Sequence, residues 1–296
     1  MAPLVWLITG CSSGLGECFV REVLERGDRV VATARGGASR LKHLSDIGAH
    51  TMDLDVTATQ EELNSKVKEA AGRFERIDVL VNGAGYFEAG VAEEVTDENF
   101  KSQFEVNFFG VLKMTRAVLP YLRKQRSGCI AFLGSPLGWR GVPGASPYVA
   151  AKFALEGVAE CIRGEVAEFG IQTIIFDAGN FKTPILSPER IKYSPRTIQD
   201  YAGVMQQFYG IIDDLDMKQP GDPKKGVKTM VDVVKGEGMS KDKPIPERVP
   251  LGTDMLEYIR GKCKDSLAIC EEWDQVSRST DFGGLAPENA GPYTCP

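Results

Sequence analysis

Six short apolar runs recur along the first two-thirds of the chain: Leu4–Ile8, Arg29–Arg35, Thr51–Val56, Ile77–Val81, Gly128–Leu133 and Ile171–Phe176. Runs of this length without strict polar alternation are the pattern of strands covered on both faces. Between them lie stretches of helical period, such as Gln60–Phe74, where Leu63, Val67, Ala70 and Ala71 share one face. Strand and helix alternating in this way predict an α/β fold: a doubly wound parallel sheet with helices on both faces. Right-handed crossovers then bring the carboxyl ends of all the strands to one side.

The first run leads into Thr9-Gly10-Cys11-Ser12-Ser13-Gly14-Leu15-Gly16 and a helix from Glu17 to Arg26. Strand, glycine turn and helix is the setting of a phosphate-binding turn: bare backbone approaches a pyrophosphate whose charge sits at the helix N-terminus. The second run ends in Ala34-Arg35, where an NAD-selective domain carries a carboxylate for the ribose hydroxyls. A guanidinium there suits a 2′-phosphate instead, so NADP(H) is favoured, with Ser12 as a further donor. Asp55, near the end of the third run and beside Val56, is placed to accept from the adenine amino group. The fourth run ends in Asn82-Gly83-Ala84-Gly85, whose small residues let a cofactor come close.

Ser135 follows the fifth run, where open α/β sheets place ligands. Tyr148 and Lys152, four apart at the start of a helix reaching about Phe169, project from one face. An ammonium near a phenol favours the phenolate, so a Tyr so placed can pass a proton. Asn107 interrupts the apolar stretch Phe104–Leu112, either bridging two backbone segments or holding a water in a proton relay; the two roles are compatible. The irregular stretch 184–221 is read as short helices forming a lid, and its aromatic and Met content suggests an apolar substrate, although a packing surface would explain the same residues. Asp222-Pro223 opens a helix to about Lys235, and Arg248–Leu251 is an edge strand because of Pro250. A final helix, Thr253–Ser277, carries Met255, Leu256, Ile259, Leu267 and Trp273 on its apolar face, before a Gly- and Pro-rich tail, 281–296.

Composition excludes several classes. With 35 basic and 41 acidic side chains and a net charge of −6, nucleic acid and anionic membranes are not expected partners. No apolar run reaches the roughly 20 residues of a membrane span, and no signal peptide is evident. Seven cysteines (Cys11, Cys18, Cys129, Cys161, Cys263, Cys270 and Cys295) without paired spacing indicate reduced thiols and a cytoplasmic setting. The two histidines, His43 and His50, have no Cys cluster near them, so no metal site is expected.

Taken together and in order, the glycine turn, Asn82-x-Ala84-Gly85, Asn107, Ser135 and Tyr148-x-x-x-Lys152 make the chain resemble the short-chain dehydrogenase/reductase family. The ending, Arg248–Gly252 and Trp273 to Phe282, is similar to that of members with broad ketone or alcohol specificity. The resemblance implies a Rossmann-type single domain over 1–280 and a reversible NADPH-dependent reduction of an apolar carbonyl compound. Tyr148 would then be the acid, Ser135 the donor to the substrate oxygen, Lys152 the holder of the nicotinamide ribose, and Asn107 the holder of a water. Cofactor contacts would come from Gly10, Ser12, Ser13, Gly14, Leu15 and Gly16 in the turn, and from Arg35, Asp55 and Val56. Asn82, Ala84 and Gly85, then Gly179, Phe181 and Thr183, with Tyr148 and Lys152, would complete them. A homodimer or homotetramer paired through the helices of Asn107 and Tyr148 is also implied.

Gly83 stands where the family usually has a second Asn, which would loosen the central strands. Ala178 stands where it usually has Pro, and Pro136 restricts Ser135. Two other readings use the same residues: a dinucleotide-binding sensor without turnover, and a non-redox cyclase or eliminase.

Overall fold

The computed structural model describes residues 3–188 and 190–282; of the expected tail, 283–296 lie outside the described residues. The strands β1 (Val5–Ile8), β2 (Arg29–Ala34), β3 (His50–Asp53), β4 (Val79–Asn82), β6 (Gly128–Leu133), β7 (Ile171–Ala178) and β9 (Arg248–Leu251) form one parallel sheet. Its order is β3-β2-β1-β4-β6-β7-β9, so the chain winds outward both ways from β1 and β4. Successive residues of a strand serve opposite faces: Trp6 and Ile8 enter one core layer and Leu7 the other. Helices α1 (Gly14–Glu25) and α8 (Pro223–Lys235) cover the first face with Phe19, Val23, Val227 and Met230. Helices α3 (Gln60–Phe74), α5 (Gly110–Gln125) and α6 (Ser146–Val166) cover the second with Leu63, Met114, Val118 and Leu155.

The fold class is as the alternation predicts, with local corrections. The third strand stops at Asp53, because Asp55 turns back to accept from the Thr57 amide and hydroxyl at 2.9 and 2.8 Å. The expected single helix around Asn107 is α4 (Asp97–Phe104) joined to α5 by a π turn, Glu105–Phe109. Two three-residue strands escaped the sequence, β5 (Phe87–Ala89) and β8 (Ile191–Tyr193), which pair with each other in a small second sheet. Stretch 184–221 holds β8 and one regular helix, α7 (Ala202–Leu215), whose Met205, Phe208 and Ile212 are buried. Asp222 caps α8 as expected, accepting from Lys224 N at 2.9 Å and Lys225 N at 3.3 Å.

The last helix differs most. It breaks at Trp273 into α9 (Thr253–Glu272) and α10 (Asp274–Arg278), and of its expected apolar face only Met255 is buried. Leu267 and Trp273 are 64% and 53% exposed, since α9 lies beyond the sheet edge with little to pack against. Among the described residues no helix is long and apolar enough to cross a membrane, and no three His, Cys, Asp or Glu gather as metal ligands.

Candidate active site

The glycine turn is built for backbone contact. Gly10 has φ +75°, and a Cβ there would lie 2.7 Å from the Gly83 carbonyl oxygen. A Cβ on Gly16 would lie 2.4 Å from the Gly10 oxygen. Neither position tolerates a side chain. Ser13 starts α1 in extended conformation without a side-chain cap, so the first amides of the helix face the turn. The hydroxyl of Thr9 accepts from Gly83 N at 3.0 Å and Ala84 N at 3.1 Å, fastening β1 to the end of β4. Gly83 therefore does not loosen the centre: a Cβ there would meet the Thr9 oxygen at 2.7 Å.

A cleft of about 810 Å³ opens beside this turn. Its walls include the expected Gly10, Ser12, Arg35, Asp55, Val56, Ala84 and Gly85. Arg35 is exposed, 3.8 Å from Asp55 Oδ2, and its carbonyl accepts from Arg40 Nη1 at 2.9 Å. The bare-backbone cradle beside cations at the end of β2 fits the phosphates of a dinucleotide. The walls also include residues not anticipated: Arg40, Tyr86, Lys101, Glu105, Arg190 and Lys192. Tyr86, directly after Gly85, was within reach of the motif; Arg190 and Lys192 were not, because only the β5–β8 pairing brings them here.

Not every expected contact is available. Asn82 turns its amide inward to Thr115 Oγ1 at 3.4 Å, with Oδ1 buried and unpartnered, so it offers a ligand only backbone. Phe181 has its ring buried against Gly221 and Gly226, in the core layer of α1 and α8, so it offers a ligand only backbone. Its amide already donates to the Gly179 oxygen at 2.9 Å. Leu15 packs on the same layer. Gly179 donates to the Leu251 oxygen at 2.8 Å, and Asp254 holds the next residue by accepting from Asn180 N at 2.7 Å. Ala178 in place of Pro thus leaves this turn well fixed. Thr183 is brought to the glycine turn, its Cβ 3.4 Å from where a Gly14 Cβ would stand.

Farther along the same carboxyl edge stand Ser135, Tyr148 and Lys152. Ser135, two residues beyond β6, has the extended conformation that a following proline requires, and its Oγ accepts from Leu137 N at 3.2 Å. That leaves the hydroxyl hydrogen available to a ligand. Tyr148 lies in the first turn of α6, 6% exposed, with its ring stacked on Phe87 at 4.5 Å. Lys152 donates to the Leu133 oxygen at 2.7 Å, and its Nζ lies 5.6 Å from the Tyr148 ring centroid. Asn107 sits in the π turn, where it both accepts from Tyr86 N at 3.1 Å and donates to Tyr86 O at 3.0 Å. The bridging role is the one its carboxamide fills.

One turn beyond Lys152, Glu156 is buried and pushed up to about 7, mainly by that burial and then by Asp177. Burial likewise pushes Asp177 up to about 6, against the pull of Arg248.

The family model described as short chain dehydrogenase matches residues 4–194. Oxidoreductase BOA17 of Botryotinia fuckeliana is 34% identical over 278 residues, covering 92% of this chain and 97% of that protein. A short-chain dehydrogenase structure from Streptomyces avermitilis superposes with a TM-score of 0.84 at 32% identity, covering 95% of this chain and 99% of that one. A variant of actinorhodin polyketide ketoreductase with NADPH superposes with a TM-score of 0.68 at 26% identity, covering 84% and 95%.

Proposed function

The chain belongs to the short-chain dehydrogenase family and is an oxidoreductase; from that premise we propose that it reduces the carbonyl of a largely apolar small molecule, reversibly, with NADPH. The observation that carries this reading is the setting of Tyr148, a buried phenol with the Lys152 ammonium 5.6 Å from its ring centroid and Ser135 following the neighbouring strand. NADPH, when bound, supplies the hydride. The protein's part is to receive the oxygen that gains charge. Ser135 donates its hydroxyl hydrogen to that oxygen, and Tyr148 delivers a proton to it as the alcohol forms. Lys152, anchored on Leu133, holds positive charge beside the phenol while the proton leaves. Asn107 keeps the segment around Tyr86 in place by its paired bonds to that backbone.

The apolar preference follows from what surrounds Tyr148. Phe87, Leu186, Met205 and Phe208 gather with it into a third apolar cluster, contributed largely by stretch 184–221 acting as a lid. Arg35 at the end of β2, with no carboxylate in place of the guanidinium, supports NADPH over NADH. The NADPH-bearing ketoreductase relative supports the same choice. Tyr148→Phe should lower kcat by at least about 100-fold on any ketone that the wild type turns over, since a positioned acid contributes about 10²–10⁴. Its affinity for NADPH should change little. Full activity in that variant would sink the mechanism.

A further inference from the structure

The chain as a whole is acidic, with a net charge of −6, yet the cleft beside the glycine turn is cationic. Five basic side chains line it, Arg35, Arg40, Lys101, Arg190 and Lys192, against two carboxylates, Asp55 and Glu105. Both carboxylates are engaged: Asp55 with Thr57 and Arg35, Glu105 with Lys113 at 3.3 Å. Of the five cations, Arg35 and Arg40 stand together after β2, at the end that suits a 2′-phosphate. Lys101 has Asp97 at 3.9 Å. Arg190 and Lys192 come from elsewhere, and among the described residues neither is paired with a carboxylate.

Their placement is built rather than incidental. Ile191 pairs with Phe87 and Lys192 with Glu88 in the β5–β8 register, and Ser194 N donates to the Ala89 oxygen at 2.9 Å. The Ser194 hydroxyl donates to the buried Glu88 carboxylate at 3.1 Å, closing the end of the strand. Lys192 Nζ then lies 4.7 Å from the Tyr86 ring centroid, a cation–π contact that holds the ammonium over the cleft wall. Tyr86 follows Gly85 directly, and Ala84 comes within 2.8 Å of where a Gly10 Cβ would stand. The two cations therefore line the same cleft as Gly10 and Ser12 of the glycine turn, from a different strand pair than Arg35.

We infer that Arg190 and Lys192 hold the pyrophosphate of the bound dinucleotide from the side opposite the glycine turn, so that the stretch carrying β8 closes onto the cofactor as well as onto the substrate. The inference rests on the dinucleotide reading proposed above. A pyrophosphate presents charge outward from a turn that contacts it only through backbone amides, and cations on the open side complete its coordination. Cation capture also couples the two ligands. Leu186 and Ile191, which flank Arg190, pack in the cluster with Tyr148, Met205 and Phe208. Fixing β8 on the cofactor thus orders the wall of the substrate pocket.

The test is a fluorescence titration of NADPH and of NADH on the full chain, for wild type, Arg190→Ala/Lys192→Ala, Lys192→Gln and Arg35→Ala. Each lost contact to a charged phosphate should weaken binding by about 10-fold. The double variant should weaken NADPH and NADH by the same factor, at least about 10-fold, and show a shallower dependence on salt. Lys192→Gln, which keeps the stem over Tyr86, should show a smaller loss in the same ratio. Arg35→Ala should weaken NADPH alone. Wild-type affinity for both dinucleotides in the double variant, with an unchanged melting temperature, overturns the inference and leaves the dinucleotide reading standing. A loss confined to NADPH overturns it too, by assigning the pair to the 2′-phosphate. Wild-type protein that binds neither dinucleotide overturns the dinucleotide reading, and the inference with it.

Discussion

Arg248→Met removes a cation that two buried carboxylates share. The Arg248 guanidinium donates to Glu156 Oε2 at 3.2 Å and Asp177 Oδ2 at 3.5 Å, also pairs with Glu160, and lies 4.7 Å from the Trp139 ring centroid. Glu156 and Asp177 are 5% and 0% exposed, so solvent does little to replace it. Breaking a buried pair by removing one partner costs about 3–5 kcal/mol, against about 5–15 kcal/mol for the stability of a whole domain. The full loss applies only while the carboxyls are charged. Burial raises Glu156 from 4.5 to about 7 and Asp177 from 3.8 to about 6. Raised acids bind more protons folded than unfolded, so their contribution is greatest below about pH 4 and disappears as pH rises through about 6–7. At pH 5 both are largely protonated, and the variant should lose about 1–2 kcal/mol, the scale of hydrogen bonds and packing. At pH 8 it should lose about 3–5 kcal/mol. Urea unfolding of wild type and variant at the two pH values reads the difference. Equal losses at pH 5 and pH 8, or a loss under about 1 kcal/mol at pH 8, refute the reasoning.

Phe181→Ala should destabilise by about 3–5 kcal/mol while leaving the dissociation constant for NADPH within about twofold, because its ring belongs to the core layer; urea unfolding and a titration under native conditions measure the two. Gly16→Ala forces a methyl to 2.4 Å from the Gly10 oxygen, and should lower stability by about 1–3 kcal/mol and abolish dinucleotide binding. A variant that melts like wild type and still binds would show that the turn is looser than its geometry implies.

The sheet was legible because its strands are short, apolar and separated by helices with a clear period. Trp6, Leu7 and Ile8 carry the two-faced burial of β1 without help from distant sequence. The glycine turn was legible for the same reason: Gly10, Gly14 and Gly16 act locally. What stayed hidden was non-local. β5 and β8 have three residues each and gain their structure only from one another, across about a hundred residues of chain, so neither shows a period. Phe181 stands close in sequence to Gly179 and Thr183, yet its ring goes to the space left by Gly221 and Gly226. The apolar residues of α9 have helical spacing, but spacing cannot say whether a surface waits to receive them. The roles of Glu156 and Asp177 came from Arg248, a residue about 70 positions or more away from either.

The position of Pro250 in β9 bears on what the open edge of the sheet offers to another strand. In a parallel ladder the amide and carbonyl of one residue point to the same neighbour. Leu251 accepts from Gly179, so its polar groups face β7 and those of Pro250 face outward, away from the sheet. The open edge is therefore four residues long and lacks a donor near its middle. A strand from another molecule arriving there would leave one of its own carbonyls without a partner, a penalty of about 1–3 kcal/mol at a contact too short to offset it. This edge of the sheet is thus blunted against strand addition by a single imino acid.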